Sequence, residues 1–196
     1  MGSNYAKYTD NNPIARYLNK GFLDSLFYLA QKTNPSKVLD AGCGEGFVIE
    51  RLRRDLSADF IGLDIESEAL KIATDKNPEV NFQEASVYQL PFADNSFDLV
   101  VLSEVLEHLD TPDIALAEIR RVTKQYTIIS VPHEPIWRVG NMARLKYWRY
   151  FGNTPGHINH WTRRAFVGLI SGYFDIVELK TPLPWSIALC KAKQAN

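Results

Sequence analysis

Apolar residues recur along this chain in two alternating patterns, helical spacing and short continuous runs. Between Tyr17 and Gln31, Leu18, Phe22, Leu23, Leu26, Phe27 and Ala30 fall on one helical face, and polar Thr33, Asn34, Pro35 and Ser36 close the run. That spacing predicts an amphipathic helix. Val38, Leu39 and Ala41 then form a short strand that opens into a glycine turn, and helical spacing returns from Phe47 to Leu56 with Arg51, Arg53 and Arg54 outward. The alternation continues with strand Phe60 to Ile65, helix Ser67 to Asp75, strands Val80 to Gln83 and Phe97 to Leu102, helix Ile114 to Val122 and strand Tyr126 to Val131. From Pro132 to Pro155 the pattern breaks into an aromatic and basic segment; Thr162 to Ser171 reads as a helix, and Phe174 to Leu179 and Ser186 to Cys190 as closing strands.

Strands alternating with helices predict an α/β fold, a mostly parallel seven-stranded sheet with helices on both faces and a closing antiparallel strand at the C-terminus. No interior linker divides the chain. It reads as one domain over residues 1–196, with an N-terminal helical cap at 1–33 and an insertion at about 132–161.

Composition narrows the class without naming a chemistry. A chain of 196 residues that is 45% hydrophobic and 23% charged can bury a sizeable core, and disorder is not indicated. The two cysteines, Cys43 and Cys190, allow neither a disulfide framework nor a Cys-x-x-Cys metal site, so a reducing cytoplasm is the expected location. No apolar run reaches the roughly 18 to 20 residues that span a bilayer. The net charge of -1 conceals an uneven distribution: residues 1–134 hold 13 basic against 21 acidic residues, whereas residues 135–174 hold 6 basic and no acidic ones.

Candidate chemistry centres on Asp40-Ala41-Gly42-Cys43-Gly44-Glu45-Gly46, placed between strand and helix, where an open α/β sheet binds its ligand. Glycines let the backbone approach a ligand closely. A dinucleotide fingerprint would have a third glycine where Phe47 stands, and a phosphate loop would have Lys followed by Ser or Thr. Acidic Asp40 and Glu45 would repel a pyrophosphate but suit a cofactor carrying an amino group and a sulfonium cation. Asp64, about 20 residues on, stands where an acid accepts ribose hydroxyls. The simpler alternative is that the glycines only make a turn and Asp64 caps the helix that starts near Ser67.

These elements resemble the class I S-adenosylmethionine-dependent methyltransferases of the type 11, ubiquinone-biosynthesis-like group, which have a Rossmann-like sheet. Val38 to Gly46 resembles their first motif and Gly62-Leu63-Asp64 their second. Leu90-Pro91-Phe92, Phe97-Asp98-Leu99-Val100, the stretch Ser103 to Leu109 and the helix Ala117 to Val122 are similar to later ones. The resemblance covers roughly residues 37–132. It implies S-adenosyl-L-methionine as cofactor, with S-adenosyl-L-homocysteine as product. Asp40, Gly42, Cys43 and Gly44 would lie near the methionine part, Asp64 at the ribose and Ile65 beside the adenine. Ser103 would lie next to the sulfonium, and Tyr5 and Tyr8 would form a second wall. Ser86, with the Val87 amide, would meet the adenine amino group where the group commonly has an acid.

Methyl transfer needs chiefly proximity and alignment, so a base is optional. If the acceptor is a hydroxyl, His133, just past the fifth strand, is the first candidate base, with His157 and His160 as alternatives. His108 reads equally as packing beneath the cofactor. No third ligand accompanies His157 and His160, so no metal is expected. Arg144, Arg149, Trp148, His157 and His160 are the candidate acceptor contacts, because aromatics with arginines suit an anionic small molecule, a glycan, a lipid headgroup or a membrane surface. The alternative for the segment is a lid with core aromatics and solvated charges. Two other function classes stay open: a non-catalytic cofactor-binding protein, and a nucleic-acid methyltransferase, which the lack of an Asn-Pro-Pro-Tyr-like motif and of an added RNA-binding domain disfavours.

Overall fold

The computed structural model describes residues 5–143 and 147–193, without the side chains of Tyr5, Ala6 and Trp148. A short helix α1 (Tyr5–Tyr8) precedes α2 (Pro13–Gln31), whose start is set by Asn12: its side-chain oxygen accepts from the amides of Ile14 at 2.9 Å and Ala15 at 3.3 Å. Such a cap is worth about 1 kcal/mol. The predicted start at Tyr17 was one turn late, because Pro13 occupies the first helical position, where its missing N–H costs nothing.

The alternation of strands and helices holds through β1 (Lys37–Ala41), α3 (Phe47–Arg53), β2 (Asp59–Asp64), α4 (Ser67–Lys76), β3 (Asn81–Glu84), β4 (Phe97–Ser103), α5 (Pro112–Val122) and β5 (Thr123–Pro132). Within the segment expected to be irregular lies a further helix, α6 (Ile136–Ala143); α7 (Arg163–Ile170), β6 (Phe174–Lys180) and β7 (Trp185–Ala192) close the chain. The sheet order is β3-β2-β1-β4-β5-β7-β6, parallel from β3 to β5, with β7 antiparallel to both of its neighbours.

Side chains on a strand point alternately to opposite faces, which decides which core each residue joins. Val38, Leu99 and Val101 pack beneath α2 and α3 with Phe22, Leu26, Ile49 and Leu52. Leu39, Val100 and Leu102 face the other way, onto Leu116 and Ile119 of α5 and Phe166 and Ile170 of α7. Strands buried on both faces read as the continuous apolar runs seen in the sequence. No helix among the described residues is long and apolar enough to cross a membrane.

Candidate active site

The strand order reverses between β1 and β4, so the turns after these two strands diverge and leave a crevice at their carboxyl ends. Asp40, Gly42, Cys43, Glu45, Phe47 and Val48 line it from the β1 side, Ser103 and Glu104 from the β4 side, and Tyr8 from α1. Gly46 takes φ 74°, and a Cβ there would stand 2.9 Å from the Asn77 side chain, so both conformation and space call for glycine. The loop is held by backbone bonds: the amides of Gly42 and Cys43 donate to Leu63 O at 2.6 and 2.9 Å.

Asp64 reinforces this loop. One carboxylate oxygen accepts from the Gly44 amide at 2.8 Å and the other from the Glu66 amide at 3.0 Å, joining the glycine turn to the start of α4. The helix cap of the simpler reading is not formed, since Glu66 holds the N-cap position of α4 without a side-chain cap bond; Asp64 organises the turn before it. Each of its oxygens keeps a further lone pair for a ribose hydroxyl.

Asp40 has no such partners. It is 1% exposed, and neither carboxylate oxygen has a hydrogen-bond partner among the described residues. Burial, reinforced by nearby Asp64, pushes its pKa up to about 8. A buried carboxyl without partners is costly to fold around, and a cationic ligand group would relieve that cost. The Cys43 thiol is likewise pushed well above its ordinary range by burial, then by Asp40, which leaves it an unreactive packing group.

The crevice is closed from above. Tyr8 stacks on Phe47 with ring centroids 4.5 Å apart. Lys7 forms an ion pair with Glu104, and its ammonium lies 4.7 Å from the Trp185 ring centre. Burial lowers the Lys7 pKa to about 7. The space left is about 20 Å³, enough for a water molecule and far below the ~300–1,000 Å³ of pockets that enclose small molecules. Helix α1 must therefore move for a nucleoside-sized ligand to enter. Glu104 itself has φ 56°, a left-handed conformation that is strained for a residue other than glycine.

Of the expected cofactor residues, Tyr8, Asp40, Gly42, Cys43 and Ser103 come together around the crevice, while Gly44 and Asp64, bonded to each other, are not among those that line it. Ile65 is 59% exposed just past Asp64. The Ser86 hydroxyl accepts from the Tyr88 amide at 3.2 Å, and Val87 is packed into the core. None of Ile65, Ser86 and Val87 lines the closed crevice.

The histidines sort differently from the sequence expectation. His133 is half-buried, with its amide donating to Pro184 O at 2.8 Å, and it does not line the crevice. Burial, then Arg163, lowers its pKa. His160 turns to Arg138, whose guanidinium meets its Nε2 at 2.8 Å, and to Glu134. His157 is buried against His108, ring centroids 4.9 Å apart, and under Trp137 at 5.9 Å. Burial, then His108, lowers its pKa to about 3, so the ring is neutral.

The fold separates the pair that the sequence suggested, turning His160 away to Arg138 and Glu134, and brings together another trio: Glu107, His108 and His157 each offer one potential ligand atom within 4.8 Å of the others. Adjacent Glu107-His108, three residues beyond Glu104, was the legible signal; its partner, a distant loop, was not. Arg144 lies outside the described residues, as does the Trp148 side chain, while Arg149 is exposed.

A family model described as a methyltransferase domain matches residues 39–131. The chain is 40% identical over 88 residues to the demethylmenaquinone methyltransferase of Renibacterium salmoninarum, covering 45% of this chain and 37% of the relative. It is 28% identical over 181 residues to the ubiquinone biosynthesis O-methyltransferase of Cupriavidus pinatubonensis, covering 82% and 68%. The chain spans less than half the length of several curated relatives it matches, 37% to 42% in three of them. Among solved structures, the magnesium protoporphyrin IX methyltransferase of Synechocystis with bound SAH superposes with a TM-score of 0.73 at 18% identity, over 96% of this chain and 92% of that one. At that identity the likeness concerns the fold.

Proposed function

We propose that this chain, whose residues 39–131 match a family model described as a methyltransferase domain, transfers the methyl group of S-adenosylmethionine to an oxygen of a small-molecule or lipid-linked acceptor. The observation that carries this reading is Asp40, a buried carboxyl with no partner, on the wall of an acid-lined crevice at the sheet's switch point. An amino group paired with Asp40 would supply the missing charge, with the sulfonium beside Ser103. A pyrophosphate would add to the repulsion.

The cofactor supplies an activated methyl group. The protein's part is to hold it and exclude water. The Asp64 bonds keep the Gly44 turn open-backed, Asp40 orients the amino end, and closure of α1 over the crevice keeps solvent out. In the transfer itself the acceptor oxygen forms a bond to the methyl carbon as the carbon–sulfur bond breaks. The bonding pair would stay on sulfur, leaving S-adenosylhomocysteine, and the hydroxyl proton would pass to solvent as the crevice reopens.

An oxygen acceptor is supported by the name of the Cupriavidus relative. An apolar acceptor is supported by Val139, Met142, Tyr150 and Phe151, all exposed in the segment that follows β5. Calorimetry with S-adenosylmethionine, S-adenosylhomocysteine and NAD tests the cofactor assignment: the first two should bind and NAD should not. Tighter binding of NAD would overturn it. Turnover to S-adenosylhomocysteine with hydroxylated aromatic acceptors of increasing alkyl length tests the acceptor class.

A further inference from the structure

We propose that Glu107, His108 and His157 form a divalent-cation site, of the kind that takes zinc or cobalt, on the rim of the crevice beside Glu104. The argument begins with how firmly the three are brought together. The turn Leu106–His108 and the loop at 156–160 are far apart in sequence but bonded along their length. Ile158 and Asn159 donate their amides to Glu107 O at 2.9 and 3.1 Å, and the Asn159 side chain donates to Leu106 O at 3.1 Å and Leu109 O at 2.6 Å. Trp137 covers one face of the His157 ring. Position is therefore imposed by backbone contacts, independently of any ion.

The donor chemistry also fits. The His108 Nδ1 lies 2.9 Å from Gly156 O, and because a carbonyl only accepts, Nδ1 carries the proton and Nε2 keeps its lone pair. Metal-bound histidines are commonly oriented by this type of second contact. Glu107 is 1% exposed, and its Oε2 has no hydrogen-bond partner among the described residues. Two imidazoles and one carboxylate suit zinc, and three protein ligands leave a coordination position open for a substrate. Ligand atoms around one tetrahedral ion at ~2.1 Å stand about 3.4 Å apart, so the present spread of up to 4.8 Å must contract by side-chain rotation.

The neighbourhood already attracts a cation. The Lys7 ammonium ion-pairs with Glu104, three residues before Glu107. When α1 opens, that charge leaves with it. An ion at Glu107, His108 and His157 would then replace the charge and offer its open position to the acceptor hydroxyl, whose proton becomes more acidic on binding. This last role rests on the methyl-transfer reading; binding of the ion does not.

The test uses the full chain, stripped of metal by chelation and dialysis, titrated with Co²⁺ by visible absorption and with Zn²⁺ by calorimetry. One ion per chain is expected. His157→Gln and Glu107→Gln should each weaken binding by about tenfold or more, since even supporting residues are worth that much. His133→Gln and His160→Gln should bind as the parent does, and Lys7→Met should bind more tightly. Circular dichroism of each variant separates a lost ligand from a lost fold. Absence of Co²⁺ uptake by the parent, or uptake unchanged in both folded His157→Gln and Glu107→Gln, overturns the site. Calorimetry of S-adenosylhomocysteine on the metal-free chain is run alongside. If that ligand binds while Co²⁺ does not, only the metal site falls; in the opposite case the metal site stands and the methyl-transfer reading falls.

Discussion

Replacing Asp40 by asparagine should stabilise the ligand-free protein while weakening its hold on the cofactor. The wild-type carboxyl is buried, without partners, and its pKa rises from 3.8 to about 8 on folding, first through burial and then through Asp64. A pKa that is higher in the folded state means the folded chain binds the proton more tightly. The stabilisation this gives is complete below the unfolded value and is lost as pH climbs toward the folded one. Within that window stability falls by about 1.4 kcal/mol per pH unit, so from pH 5 to pH 7 wild type should lose on the order of 2–3 kcal/mol through this residue. Asparagine does not titrate. Asp40→Asn should therefore match wild type below pH 4 and exceed it at pH 7 by about 4 kcal/mol, raising Tm by roughly 2–4 °C per kcal/mol in a chain of this size. Urea unfolding at pH 4, 5, 6 and 7 measures the difference directly. Loss of a charged acceptor should at the same time cost about 1.5–3 kcal/mol of cofactor affinity, roughly ten- to hundredfold, by calorimetry. Parallel stability profiles for the two proteins across this range would refute the argument, because they would mean that Asp40 is solvated or partnered in solution.

Asp64→Ala removes the acceptor for the Gly44 and Glu66 amides and should weaken S-adenosylhomocysteine binding by ~1–3 kcal/mol with a comparable loss of stability; unchanged affinity would take Asp64 out of the site. Tyr8→Ala removes the ring stacked on Phe47 and should speed cofactor association in stopped-flow measurements, since α1 closes the crevice; an unaltered rate would mean that α1 is already open in solution. His133→Ala should lower turnover less than about tenfold, short of the ~10²–10⁴-fold expected of a general base, because His133 does not line the crevice. A larger loss would restore it as the base. Arg144→Gln with Arg149→Gln should raise the acceptor KM and reduce its salt dependence only if the acceptor is anionic; a neutral acceptor would leave both unchanged.

Much of the architecture was legible because it is encoded locally. The glycine turn at Asp40–Gly46 follows from backbone requirements that neighbouring residues meet, and the strands Val38–Ala41 and Phe97–Leu102 declare themselves as apolar runs because both of their faces are buried. The acidity of the turn could also be read directly. Helix α6 was not visible in the aromatic and basic segment. Its position depends on distant contacts, the Asn141 side chain donating to Gly152 O at 2.9 Å and the Trp137 indole to Thr154 at 2.9 Å, that no periodicity announces. The same limit applied to the site. Spacing paired His157 with His160, three residues on, whereas the fold turns His160 toward Arg138 and Glu134 and brings His157 onto His108 and Glu107. Sequence by itself therefore determined the sheet, the loop and the sign of its charge, each set by neighbours along the chain. Tertiary structure alone decided that Lys7 pairs with Glu104 across the crevice and which histidines meet, because those contacts join segments whose separation in sequence carries no information about their distance in space.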